Sequence, residues 1–288
     1  MFVKPRVIAE IGCNHKGDLD IALELIRVAS ECGVDVVKFQ KRNNKEYLTE
    51  EQYNAPHPNP IHSYGSTYGE HRDFLEFNIE QHKELKKHAE SLGLIYSSSV
   101  WDIISAREIV SLNPDFIKVP SACNNNVDML SILRDEYSGD VHVSLGMTTQ
   151  VEEDNLISLF EIEDQAKRLV LYACTSGYPV SFEDVCMLEI SRIKDNYLDK
   201  VRDIGFSGHH LGISIDIGAY VLGASWIERH FTLDRTWKGT DHSASLEPTG
   251  LRKLNRDLTA TFKSLTYKNH HILEIEKEQR SKLKYRKK

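Results

Sequence analysis

The segment GFSGHHLGISIDIGAYVLGASWIERHF, residues 205–231, contains one complete repeat of the fold. Residues 202–208 (RDIGFSG) and 225–231 (SWIERHF) read as short, largely apolar strands. Residues 213–222 between them carry apolar side chains at helical spacing. Strand, helix, strand in that order predicts a parallel pair, because a crossover is needed to re-enter the sheet in the same direction. His209 and His210 follow the first strand, and His230 closes the second.

The same unit recurs along the chain. Strand-like runs are expected at residues 6–12, 34–40, 92–99, 115–121, 141–147 and 168–176, ahead of the two just described. Helical patterns fall at 18–32 (capped by Asp18), 79–92, 102–112, 127–136, 151–160, 182–198, 213–222 and 251–265. Repeated βα units predict an α/β protein with a parallel sheet covered by helices. Eight in series match the size of a (β/α)8 TIM barrel, with a doubly wound open sheet as the rival arrangement. A polar, proline-containing insertion occupies residues 43–72. We expect a single barrel domain over residues 1–268, then a charged C-terminal extension, 269–288. Its basic end, RSKLKYRKK at 280–288, reads as a solvated terminus.

Bulk composition narrows the function classes. A net charge of −7 argues against a nucleic-acid partner, since tracking phosphates needs positive charge. There is no long apolar run, so no membrane partner is expected. The N-terminus lacks the basic and apolar regions of a secretory signal, and five scattered cysteines show no CxxC, so a reducing, cytoplasmic setting is expected. Dinucleotide, P-loop, HExxH and GxSxG motifs are absent from the sequence. Cys13, Cys123 and Cys174 lie near strand ends, where buried structural cysteine is the commoner reading than nucleophile.

In a TIM barrel the active site sits at the C-terminal ends of the strands. Reactive side chains gather there: Glu10, Lys38, Gln40, Ser98, Ser99, Lys118, Ser121, Ser144, Thr175, Ser176, Ser207, His209 and His230. Two lysines among several hydroxyls suit a phosphate or a carboxylate, although either lysine alone is as readily a structural ion pair. His209 and His230 end adjacent strands, which lie ~5 Å apart, so both rings can reach one ion. Glu10 and Asp241 are the nearby carboxylates, and His210 points away by alternation.

With these residues in view, the chain resembles the sialic acid (nonulosonic acid) synthase family, which condenses phosphoenolpyruvate with a mannosamine-type sugar. The resemblance rests on IAEIGCNHKGD (8–18), DVVKFQK (35–41), YGEHRDFLEF (68–77), FIKVPSACNN (116–125), SLGM (144–147), CTSGYPVSFEDV (174–185), GFSGHHLG (205–212) and IERHFTLDRTWKGTDHSASLEP (227–248). It implies that His209 and His230 hold a divalent cation, usually manganese, with magnesium or cobalt as substitutes. It places Lys38, Ser99, Lys118, Ser121, Ser176 and Ser207 around phosphoenolpyruvate, with Glu10 as the catalytic carboxylate and Lys118 assisting. Gln40, Tyr178 and Asp241 match positions that line the acceptor sugar. His71 and Arg72 either bind a sugar phosphate or clamp the long second loop. Cys123 stands where family members often carry an acidic residue, and Gly208 where many carry aspartate. The small antifreeze-like domain usual after the barrel is not expected in residues 269–288. A homodimer is consistent with the resemblance. The alternatives are another metal-dependent 3-deoxy-ulosonic acid synthase, a pyruvate aldolase, or a barrel that only binds.

Overall fold

A computed structural model describes residues 2–285. Its centre is a closed barrel of eight parallel strands in sequence order: β1 Arg6–Gly12, β2 Val36–Lys41, β3 Ile95–Val100, β4 Phe116–Val119, β5 Asp140–Ser144, β6 Leu169–Cys174, β7 Asp203–Gly208 and β8 Trp226–His230. The helices that follow the strands are α1 Leu19–Glu31, α5 Ile79–Ser91, α6 Ile103–Ser111, α7 Val127–Asp135, α8 Gln150–Phe160, α9 Glu189–Tyr197, α10 Ser214–Leu222 and α11 Pro248–Ser264. Three shorter helices, α2 Asn44–Tyr47, α3 Glu50–Asn54 and α4 Tyr68–Leu75, lie in the insertion, and α12 Glu274–Leu283 follows the barrel. The open-sheet alternative is excluded, because β1 pairs with β8.

Period-two alternation sets the two sides of each strand. On β8, Ile227 and Arg229 face the helices, whereas Trp226, Glu228 and His230 face the axis. The floor of the barrel is apolar: Ile8, Val36, Phe116, Val170, Tyr172 and Trp226 form a separate buried cluster. Above this floor the inward positions turn polar, with Glu10, Lys38, Lys118 and Glu228 all buried. A much larger apolar shell packs the outer strand faces against the helices.

The structure trims several sequence expectations. The strand expected at 141–147 ends at Ser144, and Met147 is 70% exposed with a positive φ of 56°. The helix expected at 182–198 begins only at Glu189, because Cys186 takes a left-handed conformation that breaks the turn before it. The insertion is α-helical in three places, each opened by a side chain that accepts from the first turn: Asn43, Thr49 and Thr67. The extension is not wholly irregular. α12 reaches Leu283 and is laced by ion pairs Glu274–Lys277 and Glu278–Lys282, while residues 286–288 of the basic tail lie outside the described residues.

Candidate active site

Strand register brings the reactive groups together. Glu10 pairs laterally with Lys38 on β2 and His230 on β8, and Gln40 on β2 lies beside Ser99 on β3, which lies beside Lys118 on β4. A cavity of about 340 Å³ opens at this end of the barrel. Glu10, Lys38, Gln40, Ser99, Lys118, Ser121, Ser176, Tyr178, Ser207, His209 and His230 all line it. These positions, all singled out from the sequence, therefore share one space, and Ser144 lines it with them. Asp241 and Arg72 are not among its lining residues.

The floor of this cavity is a four-charge cluster. Lys38 Nζ stands 2.5 Å from Glu10 Oε2, donates to Ser99 Oγ at 2.7 Å and lies 3.6 Å from Glu228 Oε2. Lys118 Nζ reaches the same Glu228 oxygen at 3.3 Å, and Ser207 Oγ donates to the other at 3.0 Å. Gln40 donates to Glu10 Oε1 at 3.0 Å. Glu228 was not anticipated, yet it lies between the two lysines. The available signal was its place two residues before His230, on the same strand face.

Burial favours the neutral form of every group here, and neighbours decide the outcome. For Glu228 burial is opposed by Lys118 and Lys38, which hold the carboxyl well below its usual range. For Lys38 burial is opposed by Glu10 and Glu228, and the ammonium is held more firmly than usual. Lys118 fares differently. Burial dominates, Glu228 only partly offsets it, and repulsion from Lys38 adds to it, so the amine falls to about 8. Its Nζ also lies 3.2 Å from the centroid of the Tyr172 ring, whose hydroxyl bonds His142 Nδ1 at 2.8 Å.

Ser121 and Ser176 line the opposite wall around Gly146, whose N–H donates to Ser121 Oγ at 3.0 Å. A Cβ at Gly146 would sit 2.6 Å from Ser176 Oγ and 2.8 Å from Ser121 Oγ. The bare backbone thus keeps two hydroxyls converged, one of them oriented by the Gly146 amide, and their O–H groups suit an anion.

His209 and His230 face each other with ring centroids 5.5 Å apart. His209 Nδ1 donates to the Thr175 carbonyl at 3.0 Å, which leaves Nε2 with its lone pair. Burial, then His230, push His209 down to about 4, so the ring is neutral at pH 7. His230 Nδ1 is buried without a hydrogen-bond partner. Two neutral-capable imidazoles, one locked in tautomer and one with an orphaned nitrogen, fit a divalent cation. Among the described residues no group of three or more His, Cys, Asp and Glu gathers with metal-holding geometry. Tyr178 packs beside them, its ring tilted 44° to that of His209 at 4.2 Å and edge-on to that of His230 at 5.9 Å.

His210 belongs elsewhere. It is fully buried on the helix side, with Nε2 3.0 Å from Arg229 Nη1 and 3.3 Å from Asp216 Oδ2. A side chain at Gly208 would meet the His210 ring at 2.8 Å, which accounts for glycine there. His71 and Arg72 also part company. His71 is buried against His57 (4.3 Å), accepts from Tyr64 N–H at 3.1 Å and, mainly through burial, falls to about 4, so it is a neutral clamp within the insertion. Arg72 turns instead toward Cys13, with Nη1 3.9 Å from Sγ. Asp241 is within electrostatic reach of both His230 and Arg72, which outweigh its burial and lower its carboxyl below the usual range.

Residues 25–270 match the model of the NeuB family. The chain belongs to that family. It is 39% identical over 271 residues to the Homo sapiens N-acetylneuraminate-9-phosphate synthase, an alignment covering 94% of this chain and 74% of that protein. It is 33% identical to the N,N'-diacetyllegionaminic acid synthase of Campylobacter jejuni, over 87% of this chain and 74% of the relative. A crystal structure of an N-acetylneuraminic acid (sialic acid) synthetase from Leptospira borgpetersenii superposes with a TM-score of 0.81 at 26% identity, covering 99% of this chain and 94% of the other. This NeuB-family chain is thus an enzyme of the sialic and nonulosonic acid synthase group. No described helix is long and apolar enough to cross a membrane.

Proposed function

We propose that the enzyme condenses phosphoenolpyruvate with an aldose of the mannosamine or mannose type, N-acetylmannosamine, its 6-phosphate or a related sugar, releasing phosphate and a 2-keto nonulosonic acid. The observation that carries this reading is the convergence, in one cavity, of a lysine–carboxylate–hydroxyl cluster and two imidazoles. The sialic and legionaminic acid synthases among its relatives support the product class.

The reaction joins C3 of phosphoenolpyruvate to the aldehyde carbon, whose oxygen takes up a proton. The cationic character left at C2 is met by water, which loses a proton. Breaking of the C2–O bond to the phosphoryl group then expels phosphate, the C2 hydroxyl gives its proton to the departing phosphate, and the keto group remains. Lys38 and Lys118 supply positive charge to the phosphate and carboxylate of the bound donor while charge redistributes, with the hydroxyls of Ser99, Ser121, Ser176 and Ser207 as donors. Glu10, oriented by Gln40 and Lys38, is the group placed to move a proton at the water or at the new hydroxyl. Glu228 is the resident counter-ion that the incoming anion has to compete with for both lysines. Tyr178 and Gln40 flank the acceptor. His209 and His230 would hold the divalent cation, manganese being the best match, which when bound acts as a Lewis acid toward the aldehyde.

Donor discrimination tests the proposal. With phosphoenolpyruvate and a mannosamine-type sugar, mass spectrometry should show a product three carbons longer than the sugar. The same product from pyruvate, with phosphoenolpyruvate left intact, would replace the synthase reading by an aldolase.

A further inference from the structure

We propose that Tyr172 is a positioning residue for the donor half of the reaction, its ring face seating the Lys118 ammonium inside the cavity. The chemistry assigned to Lys118 rests on the synthase reading; the seat itself rests on geometry.

Lys118, His142 and Tyr172 come from the consecutive strands β4, β5 and β6, and register sets Lys118 directly beside His142. Lys118 Nζ lies 3.2 Å from the centroid of the Tyr172 ring, as close as it comes to the Glu228 carboxylate at 3.3 Å. A buried ammonium has three N–H groups to satisfy. Among the described residues Glu228 is the one carboxylate within 4.0 Å of Lys118. The electron-rich ring face is a second partner, worth most in a desolvated setting such as this. With both engaged, one N–H remains for an incoming anion.

The ring cannot drift from this place. A Cβ at Gly205 would lie 2.5 Å from Tyr172 Cε1, so the bare backbone of β7 makes room for it. The Tyr172 hydroxyl bonds His142 Nδ1 at 2.8 Å, and that imidazole is itself clamped, stacked on Phe116 at 3.8 Å and edge-on to Trp226 at 4.7 Å. Setting a phenol and an imidazole in an apolar floor is costly, the more so as His142 Nε2 has no hydrogen-bond partner. An apolar pair would fill the same space without fixing the direction of the ring.

Neither group adds charge beside the lysine. Burial holds His142 well below its usual range and Tyr172 well above its own, so both are neutral, and it pushes the Cys174 thiol on β6 up to about 11. The charges facing Lys118 are therefore Glu228 and Lys38, with Glu10 beside Lys38.

Titration of Lys118 in the substrate-free protein, followed by NMR of its labelled ε-methylene and assigned through Lys118→Arg, tests the seat. The ring face favours the charged amine, so Tyr172→Leu should lower the midpoint from about 8 by roughly half a pH unit or more. Tyr172→Phe, which keeps the face, should recover most of that loss. Phenylalanines carrying increasing numbers of ring fluorines at position 172 keep the shape while draining the face, and the midpoint should fall stepwise along the series even where Tyr172→Leu does not fold. In turnover, Tyr172→Leu should raise KM for phosphoenolpyruvate about fivefold and leave KM for the sugar in place. A midpoint indifferent to fluorination, or Tyr172→Phe as impaired as Tyr172→Leu, would overturn the proposal. If the wild type fails to consume phosphoenolpyruvate, the synthase reading falls instead, and the lysine titration still decides the role of the ring.

Discussion

Lys118 and Glu228 stand on β4 and β8, opposite sides of an eight-strand ring, and meet at the axis with Nζ 3.3 Å from the carboxylate. Opposite strands of a closed barrel are too far apart for short side chains to touch, so only long ones can close this gap. The pair therefore spans the barrel just above its apolar floor and couples the two walls of the cavity.

The first consequence is a pH limb. Burial, reinforced by Lys38 and only partly offset by Glu228, lowers Lys118 to about 8. A lysine is charged below its pKa, so its attraction for phosphoenolpyruvate is present at pH 7 and lost as pH rises through about 8. The kcat/KM for phosphoenolpyruvate should fall over that range, and Lys118→Arg, which keeps its charge, should abolish the limb. A flat profile from pH 7 to 9 in wild type would count against this.

Glu228→Gln removes the one neighbour that supports the Lys118 charge most strongly. The alkaline limb should then move below pH 8, with weaker binding of phosphoenolpyruvate at neutral pH. An unmoved limb would mean that Glu228 does not govern the lysine.

At Gly146 the expectation is steric. A methyl group there would press on Ser121 and Ser176. Gly146→Ala should raise KM for phosphoenolpyruvate about tenfold or more, the order expected for losing one or two charge-assisted hydrogen bonds, while leaving the folded barrel intact by circular dichroism. Unchanged KM would place the donor elsewhere.

His230→Ala should abolish metal-dependent turnover without unfolding the protein, and chelation of the wild type should do the same until manganese is restored. Wild-type rates in the variant, or indifference to chelator, would refute the metal assignment.

Stability is a separate matter, set behind β8. Asp216 accepts from Arg229 at 2.6 Å in a fully buried setting shared with His210. Asp216→Ala strands the guanidinium and should cost about 3–5 kcal/mol in denaturant unfolding. A loss below about 1 kcal/mol, the size of an exposed pair, would contradict the buried network.

Much of this was legible in the sequence because barrel strands alternate strictly. Glu10, Lys38, Lys118 and His230 all take inward positions on their strands above the apolar floor, so their convergence followed once eight βα units were counted. Glu228 obeys the same rule and went unread, since a charged residue in the interior of a strand looks out of place until its two lysines are known. The setting of Arg72 was less accessible. Arg72 lies in a helix of the insertion, whose path depends on caps and aromatic packing among His57, Tyr64 and His71 rather than on any period. The division between His71 and Arg72 likewise needed the direction of each side chain on α4.

Sugar-dependent release of inorganic phosphate from phosphoenolpyruvate tests the central claim most directly. With manganese and a mannosamine-type sugar present, phosphate and 2-keto acid should appear in equal amounts, and neither should form when the sugar is withheld. Phosphate release that ignores the sugar, or keto acid formed without it, would contradict the account.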